Sequence, residues 1–133
     1  MLRTSDEVDF TKVKDSMFEQ KISNVTLDYD VRYDDFQNNE RYRLLKKFYN
    51  EYPAVFDISI RRSGGGHVHI KIDFYSPITL MEHFCIRAAL LDDRVRMIKD
   101  MNRVLMGTEI NVLFDKKYVR GKVHYATEWT VFR

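Results

Sequence analysis

Three stretches of the chain alternate between apolar and polar residues: 24–31, 56–62 and 67–74. Alternation with a period of two is typical of β-strands that have one buried face. The triple glycine Gly64–Gly66 separates the second and third stretches and allows a tight turn. The pattern therefore predicts a strand followed later by a β-hairpin. The predicted buried residues are Val25, Leu27, Tyr29, Val31, Phe56, Ile58, Ile60, Val68, Ile70, Ile72 and Phe74.

Helical spacing of apolar residues marks the segments before and after the first strand. A capping-box pair, Thr4 and Glu7, predicts an N-terminal amphipathic helix over residues 5–21. Residues 34–39 supply turn and cap chemistry for a second helix, which Pro53 ends. That helix carries Leu45, Phe48, Tyr49 and Tyr52 on one side.

A third helical region is predicted after the hairpin. Ser76 and Pro77 are typical of an N-cap and a first helical turn, and Gly107 is typical of a helix end. Asp92 and Asp93 restart the helix within this region. Its predicted apolar stripe continues through Ile98, Met101 and Leu105.

Two further strands are predicted after this region, at 109–115 and near the end of the chain in the TEWTVF segment. The order β-α-β-β-α-β predicts an α+β fold of the ferredoxin-like or RRM-like type, with an antiparallel sheet, an added N-terminal helix and a C-terminal strand. Right-handed crossovers then place the first strand between the third and the fourth. We expect one domain over 1–133, with an N-terminal extension at 1–23, a core at 24–118 and a last strand at 119–133.

Charge and composition narrow the function classes only slightly. The net charge is +2, but Lys116, Lys117, Arg120 and Lys122 form one short basic cluster. A single cysteine excludes a disulfide framework and a cysteine zinc site. The sequence shows no membrane-length apolar run and no signal-peptide pattern, so we expect an intracellular, cytoplasmic protein without membrane partners.

Acidic residues and histidines are predicted to share the face of the sheet that the helices leave open. The polar positions of neighbouring strands include Asp28 and Asp30, His67 and His69, and finally Asp115. Strands lie about 4.8 Å apart, so these groups would be close together. Like charges at such distances require neutralisation, and carboxylate oxygens suit Mg²⁺ or Mn²⁺. The alternative is that each residue is an ordinary solvated position on an exposed strand.

Three motifs resemble those of the archaeo-eukaryotic primase superfamily, which includes primase-polymerases. Leu27-Asp28-Tyr29-Asp30 resembles its first motif, hydrophobic-Asp-x-Asp. The segment from Ser63 to Ile70, SGGGHVHI, resembles the second, Ser-Gly-x-x-Gly-x-His before a strand. Val112-Leu113-Phe114-Asp115 resembles the third. The resemblance covers about residues 24–118, with His67 in place of a glycine of the second motif.

This resemblance implies a minimal or degenerate primase-polymerase core that acts on a nucleotide at a DNA or RNA end. Asp28, Asp30 and Asp115 would bind the divalent metal. Ser63 and His69 would contact the triphosphate, with Gly64, His67, Lys71 and Lys117 nearby. The catalytic set would be Asp28, Asp30, Asp115 and His69. The source would be an archaeal virus or plasmid, and a homodimer or a replication subunit would be the protein partner.

Two other functions stay open on the sequence alone. A non-catalytic nucleic-acid or protein binding module would use the same RRM-like sheet. A rolling-circle replication nuclease of the HUH type would use His67-Val68-His69 to hold a metal and Tyr118 as its nucleophile. Tyr118 lies in a basic segment that lacks the usual lysine spacing of such nucleases.

Overall fold

A computed structural model describes residues 17–132 and contains an antiparallel sheet of four strands in the order β1-β3-β2-β6. The α+β class predicted from the sequence is confirmed, and the arrangement is compatible with a ferredoxin-like fold. A separate two-stranded hairpin joins β4 to β5. The strands are β1 Lys21–Tyr29, β2 Val55–Arg62, β3 Val68–Thr79, β4 Lys116–Val119, β5 Lys122–Tyr125 and β6 Thr130–Val131.

Three α-helices and one 3-10 helix connect the strands. The helices are α1 Glu40–Glu51, α2 Leu80–Ala89 and α3 Arg94–Met106, and the 3-10 helix is Tyr33–Asn38. Asn39 caps α1 through its side chain, Asp93 caps α3, and Gly107 ends α3 in the left-handed conformation. These boundaries confirm the predicted second helix, the restart at Asp92 and Asp93, and the stop at Gly107.

Side-chain alternation places the core on one face of the sheet. Val25, Leu27 and Tyr29 of β1 pack with the alternate residues of β3 and with Ile58 of β2. Leu45 of α1 closes this layer from the helical side. The predicted parity is thus confirmed for β1 and β3. It is wrong for Phe56, which is exposed because an irregularity between Val55 and Asp57 turns Val55 inward instead.

The predicted fourth strand, at 109–115, is wrong. Asn111 has a positive φ of 68°, which interrupts an extended run, and no strand of the described residues pairs with β1 on that side. Along this edge of β1, side chains accept the backbone N–H groups that a neighbouring strand would otherwise bind. Thr26 N–H donates to Asn111 Oδ1 at 2.7 Å, and Asp28 N–H donates to Asp92 Oδ1 at 2.8 Å. Strand β1 therefore lies at an edge of the hydrogen-bonded sheet, not between two strands.

Two other boundaries differ from the prediction. Strand β3 continues through Ser76 and Pro77, and α2 begins only after Thr79, whose capping box with Glu82 is the stronger signal. Most of the predicted N-terminal helix lies outside the described residues, and Lys21 already belongs to β1. The final strand is confirmed in a shortened form, since β6 pairs with β2. Within residues 17–132, no helix has the length and apolar character needed to cross a membrane.

Candidate functional site: a cleft between the glycine turn and helix α3

Asp28, His69 and Arg61 form one row across three neighbouring strands. Their Cα atoms are directly paired, with Asp28 opposite His69 and His69 opposite Arg61. All three belong to the face opposite the apolar core, because their neighbours Leu27, Ile70 and Ile60 point the other way. The prediction that Asp28 and His69 share this face on neighbouring strands is therefore confirmed.

His69 is buried between the acid and the guanidinium. Arg61 Nε donates to His69 Nδ1 at 3.1 Å, so the imidazole proton is on Nε2. That nitrogen lies 3.8 Å from Asp28 Oδ1. Burial, and then the charge of Arg61, lowers the pKa of His69 to about 4. At neutral pH His69 is thus an uncharged hydrogen-bond donor that points toward Asp28.

The pKa of Asp28 is shifted upward, in the opposite direction to that of His69. Burial is the main cause that raises its pKa, and the nearby carboxylates of Asp92 and Asp93 raise it further, although Arg96 opposes them. The Asp28 side chain is 42% exposed to solvent, so a ligand can still reach it. A cation beside Asp28 would offset the unfavourable negative charge.

The glycine turn lies beside this row and packs closely on the β4–β5 hairpin. A Cβ at Gly64 would lie 2.4 Å from the backbone oxygen of His124 and 3.0 Å from the backbone nitrogen of Lys117. A Cβ at Gly65 would lie 3.3 Å from Lys117 Nζ. Ser63 Oγ accepts the N–H of His67 at 3.0 Å, which closes the turn. Gly64 is therefore needed for close backbone packing, and this packing holds the Lys117 ammonium over the turn.

A cleft of about 690 Å³ opens between this turn and helix α3. It brings together six of the residues predicted for the site, which line it: Asp28, Ser63, Gly64, His67, His69 and Lys117. Helix α3 supplies the opposite wall with Arg96, Lys99 and Arg103. Their spacing of three and four residues places these three cations on one side of the helix. That spacing is the signal in the sequence that could have identified them.

Three predicted residues lie away from the cleft lining. Asp30 lies just beyond β1, with its Oδ1 3.4 Å from His67 Nδ1. Asp115 is paired with Arg61 at 2.8 Å and its side chain is 85% exposed. Lys71 Nζ lies over the ring of Trp129, 4.9 Å from its centroid. The three predicted metal ligands do not converge here, and no group of three or more His, Cys, Asp or Glu residues within 17–132 is arranged to hold a metal ion.

A buried charge network supports the wall formed by α3. Arg87 of α2 is fully buried and contacts Asp92 and Asp100, each at 2.7 Å. Arg96 contacts Asp92 at 2.9 Å and also donates to the backbone oxygen of Thr26. Asp92 thereby connects both arginines to the Asp28 backbone. From the sequence Asp92 is predicted only as a residue that restarts the helix, and this role is visible only in the fold.

The apolar stripe predicted for α3 faces outward, not into the core. Ile98, Met101 and Leu105 are exposed, whereas Asp100 is buried on the opposite side of the helix. The charge network explains this orientation, because Arg87 requires the Asp100 carboxylate as a buried partner. The polar side of α3 is therefore the side that faces the cleft and the sheet edge.

Comparison with known proteins adds no assignment to this geometry. No family model, curated protein or solved structure matches the chain.

Proposed function

We propose that the cleft binds the phosphate groups of a nucleotide with a divalent metal, and that the chain is a nucleotidyl-transfer core or subunit of the primase-polymerase kind. The observation that carries the proposal is that the Ser63–Gly65 turn, the Nε2–H of His69 and the Lys117 ammonium border one cleft together with Asp28. A carboxylate with hydrogen-bond donors beside it, and cations on both walls of the cleft, suit a metal-bound polyphosphate.

Phosphate recognition would use groups from three elements. His69 would donate its Nε2 proton to a phosphate oxygen, because Arg61 fixes the tautomer. Lys117 and Lys99 would face the polyphosphate from opposite walls of the cleft. Since burial and Arg61 hold the pKa of His69 near 4, this donor stays uncharged over the neutral range. Its contribution is then a hydrogen bond and not a charge.

Mg²⁺ or Mn²⁺ fits at Asp28. Magnesium in nucleotide sites is commonly held by one or two carboxylates, with substrate phosphates and waters completing the octahedron. Asp28 faces the cleft, and its raised pKa indicates a carboxylate that gains from a neighbouring cation. Asp30 is two residues further on the same face. Asp115 is held by Arg61, so its part in metal binding would require exchange of that ion pair.

The test is calorimetric titration of the protein with a nucleoside triphosphate and Mn²⁺. Lys117→Ala and His69→Gln should each weaken binding about tenfold to a hundredfold, the range for one charge-assisted hydrogen bond. Lys47→Ala is the matched control, since Lys47 is exposed on α1 and does not line the cleft. Transfer of labelled nucleotide to a primed template should be lost in Asp28→Asn. Equal affinities for the Lys117, His69 and Lys47 variants would contradict the proposal.

A further inference from the structure

The β4–β5 hairpin is an exposed basic ribbon beside the cleft. Residues 116–125, KKYVRGKVHY, contain four lysines or arginines and no acidic residue. All ten residues of the ribbon are exposed. Among residues 17–132 its two strands pair only with each other, whereas two-stranded ribbons of this kind are marginally stable alone. Anchorage therefore comes from the base of the ribbon, where Gly64 packs on it and Ala126 N–H donates to Asp115 O at 2.7 Å.

The register of the ribbon gathers its aromatic residues on one face. Lys116 pairs with Tyr125, and Tyr118 pairs with Val123. Directly paired residues, and residues two positions apart, share a face of a ribbon. Tyr118 and Tyr125 are therefore diagonal neighbours on one face, together with Lys116. The opposite face carries Lys117, which faces the glycine turn.

Core packing does not account for these two tyrosines. Tyr118 is 66% exposed and Tyr125 is 70% exposed, so most of each ring is open to solvent. Lys116 Nζ lies 5.8 Å from the centroid of the Tyr118 ring, which leaves a cation and an aromatic surface side by side. Adjacent open rings with surrounding cations are the arrangement on which unpaired bases stack while lysines contact the phosphates.

We infer that this face of the hairpin binds single-stranded nucleic acid, with bases stacked on Tyr118 and Tyr125 and phosphates held by Lys116 and by Arg120 at the turn of the ribbon. Single strands are favoured over duplexes, because only unpaired bases expose a face to a protruding ring. The binding itself requires neither nucleotide nor metal in the cleft. A bound strand whose end reaches the cleft past Lys117 would present that end to the nucleotide, and this step alone rests on the proposed function.

The test is fluorescence anisotropy with labelled oligo(dT) and oligo(U) of about 12 nucleotides, in excess chelator and without nucleotide. The double variant Tyr118→Ala/Tyr125→Ala should weaken binding about 30-fold or more, since two stacked bases are lost. Tyr75→Ala is the matched control, because Tyr75 is as exposed as Tyr125 but lies in β3, outside the hairpin. Lys116→Ala/Arg120→Ala should lower the slope of log K against log salt by about 1.4.

Circular dichroism of each variant establishes that the fold is intact before affinities are compared. The inference is overturned if the double tyrosine variant binds as tightly as Tyr75→Ala, or if a duplex of the same length or polyglutamate binds as well as the single strand. These results would leave the cleft proposal standing, because nucleotide binding is measured separately. Conversely, loss of nucleotide binding in the cleft would leave chelator-resistant strand binding unchanged.

Discussion

Replacement of Asp92 by asparagine tests whether the charge network holds the cleft wall in place. The Asp92 side chain is fully buried and contacts Arg87 at 2.7 Å, Arg96 at 2.9 Å and the Asp28 N–H at 2.8 Å. Asparagine keeps the shape and can still accept from Asp28. It removes the negative charge, however, so Arg96 loses its paired carboxylate and Arg87 keeps only that of Asp100.

The expected loss of stability is about 3–5 kcal/mol, the usual effect of removing one partner from a buried ion pair. A domain of this length has a free energy of unfolding of about 7–20 kcal/mol, at about 0.05–0.15 kcal/mol per residue. The substitution would thus remove a substantial fraction of the total. With a urea m-value of about 2 kcal/mol/M, the unfolding midpoint should fall by about 1.5–2.5 M.

Urea unfolding followed by circular dichroism measures this change. Asp34→Asn is the matched control, because Asp34 is exposed in the 3-10 helix, and its midpoint should stay within about 0.3 M of the parent. The prediction is wrong if the urea midpoint of Asp92→Asn falls no further than that of Asp34→Asn. Asp92 would then contribute no net stability, and the position of Arg96 in the cleft wall would need another cause.

Three further predictions follow from the same structure. Gly64→Ala should lower the unfolding free energy by about 1–3 kcal/mol, because its Cβ would lie 2.4 Å from the His124 backbone oxygen. Gly65→Ala should cost less, because its Cβ would meet only the flexible end of the Lys117 side chain. Equal urea midpoints for the two variants would contradict this. Burial lowers the pKa of both His69 and His83 to about 4, so on acidification the unfolded chain binds protons at these histidines before the folded chain does. The free energy of unfolding should therefore be constant in this respect above pH 6.5 and fall as the pH approaches 4. A free energy of unfolding that does not change over this range would contradict the prediction. Thr79→Ala should cost about 1 kcal/mol in thermal unfolding because it removes the capping box of α2. A loss no larger than that of Ser76→Ala, at an exposed position of β3, would argue against the cap.

Local patterns predicted the parts of the fold that depend on local chemistry. Alternation identified β1 and the β2–β3 hairpin, and it placed Asp28 and His69 on the face opposite the core. Capping residues identified the ends of α1 and α3. Each of these features depends on neighbours within a few residues, which a single sequence displays directly.

The features that were missed depend on contacts between distant residues. The segment 109–115 has the apolar residues of a strand, but Asn111 satisfies the edge of β1 with its side chain, a contact across 85 positions. The orientation of α3 likewise depends on a buried arginine of another helix, so the apolar stripe predicted a buried face that is in fact exposed. The link that Arg61 makes between His69 and Asp115 likewise joins separate segments of the chain, and a single sequence does not display it.

The decisive experiment is a crystal structure of the protein with Mn²⁺ and a nucleoside triphosphate. We expect polyphosphate between the glycine turn and α3, with a phosphate oxygen within hydrogen-bond distance of His69 Nε2 and of Lys117 Nζ, and an anomalous manganese peak at Asp28. Nucleotide bound elsewhere on the molecule, or a cleft that holds neither phosphate nor manganese at saturating concentrations, would contradict it.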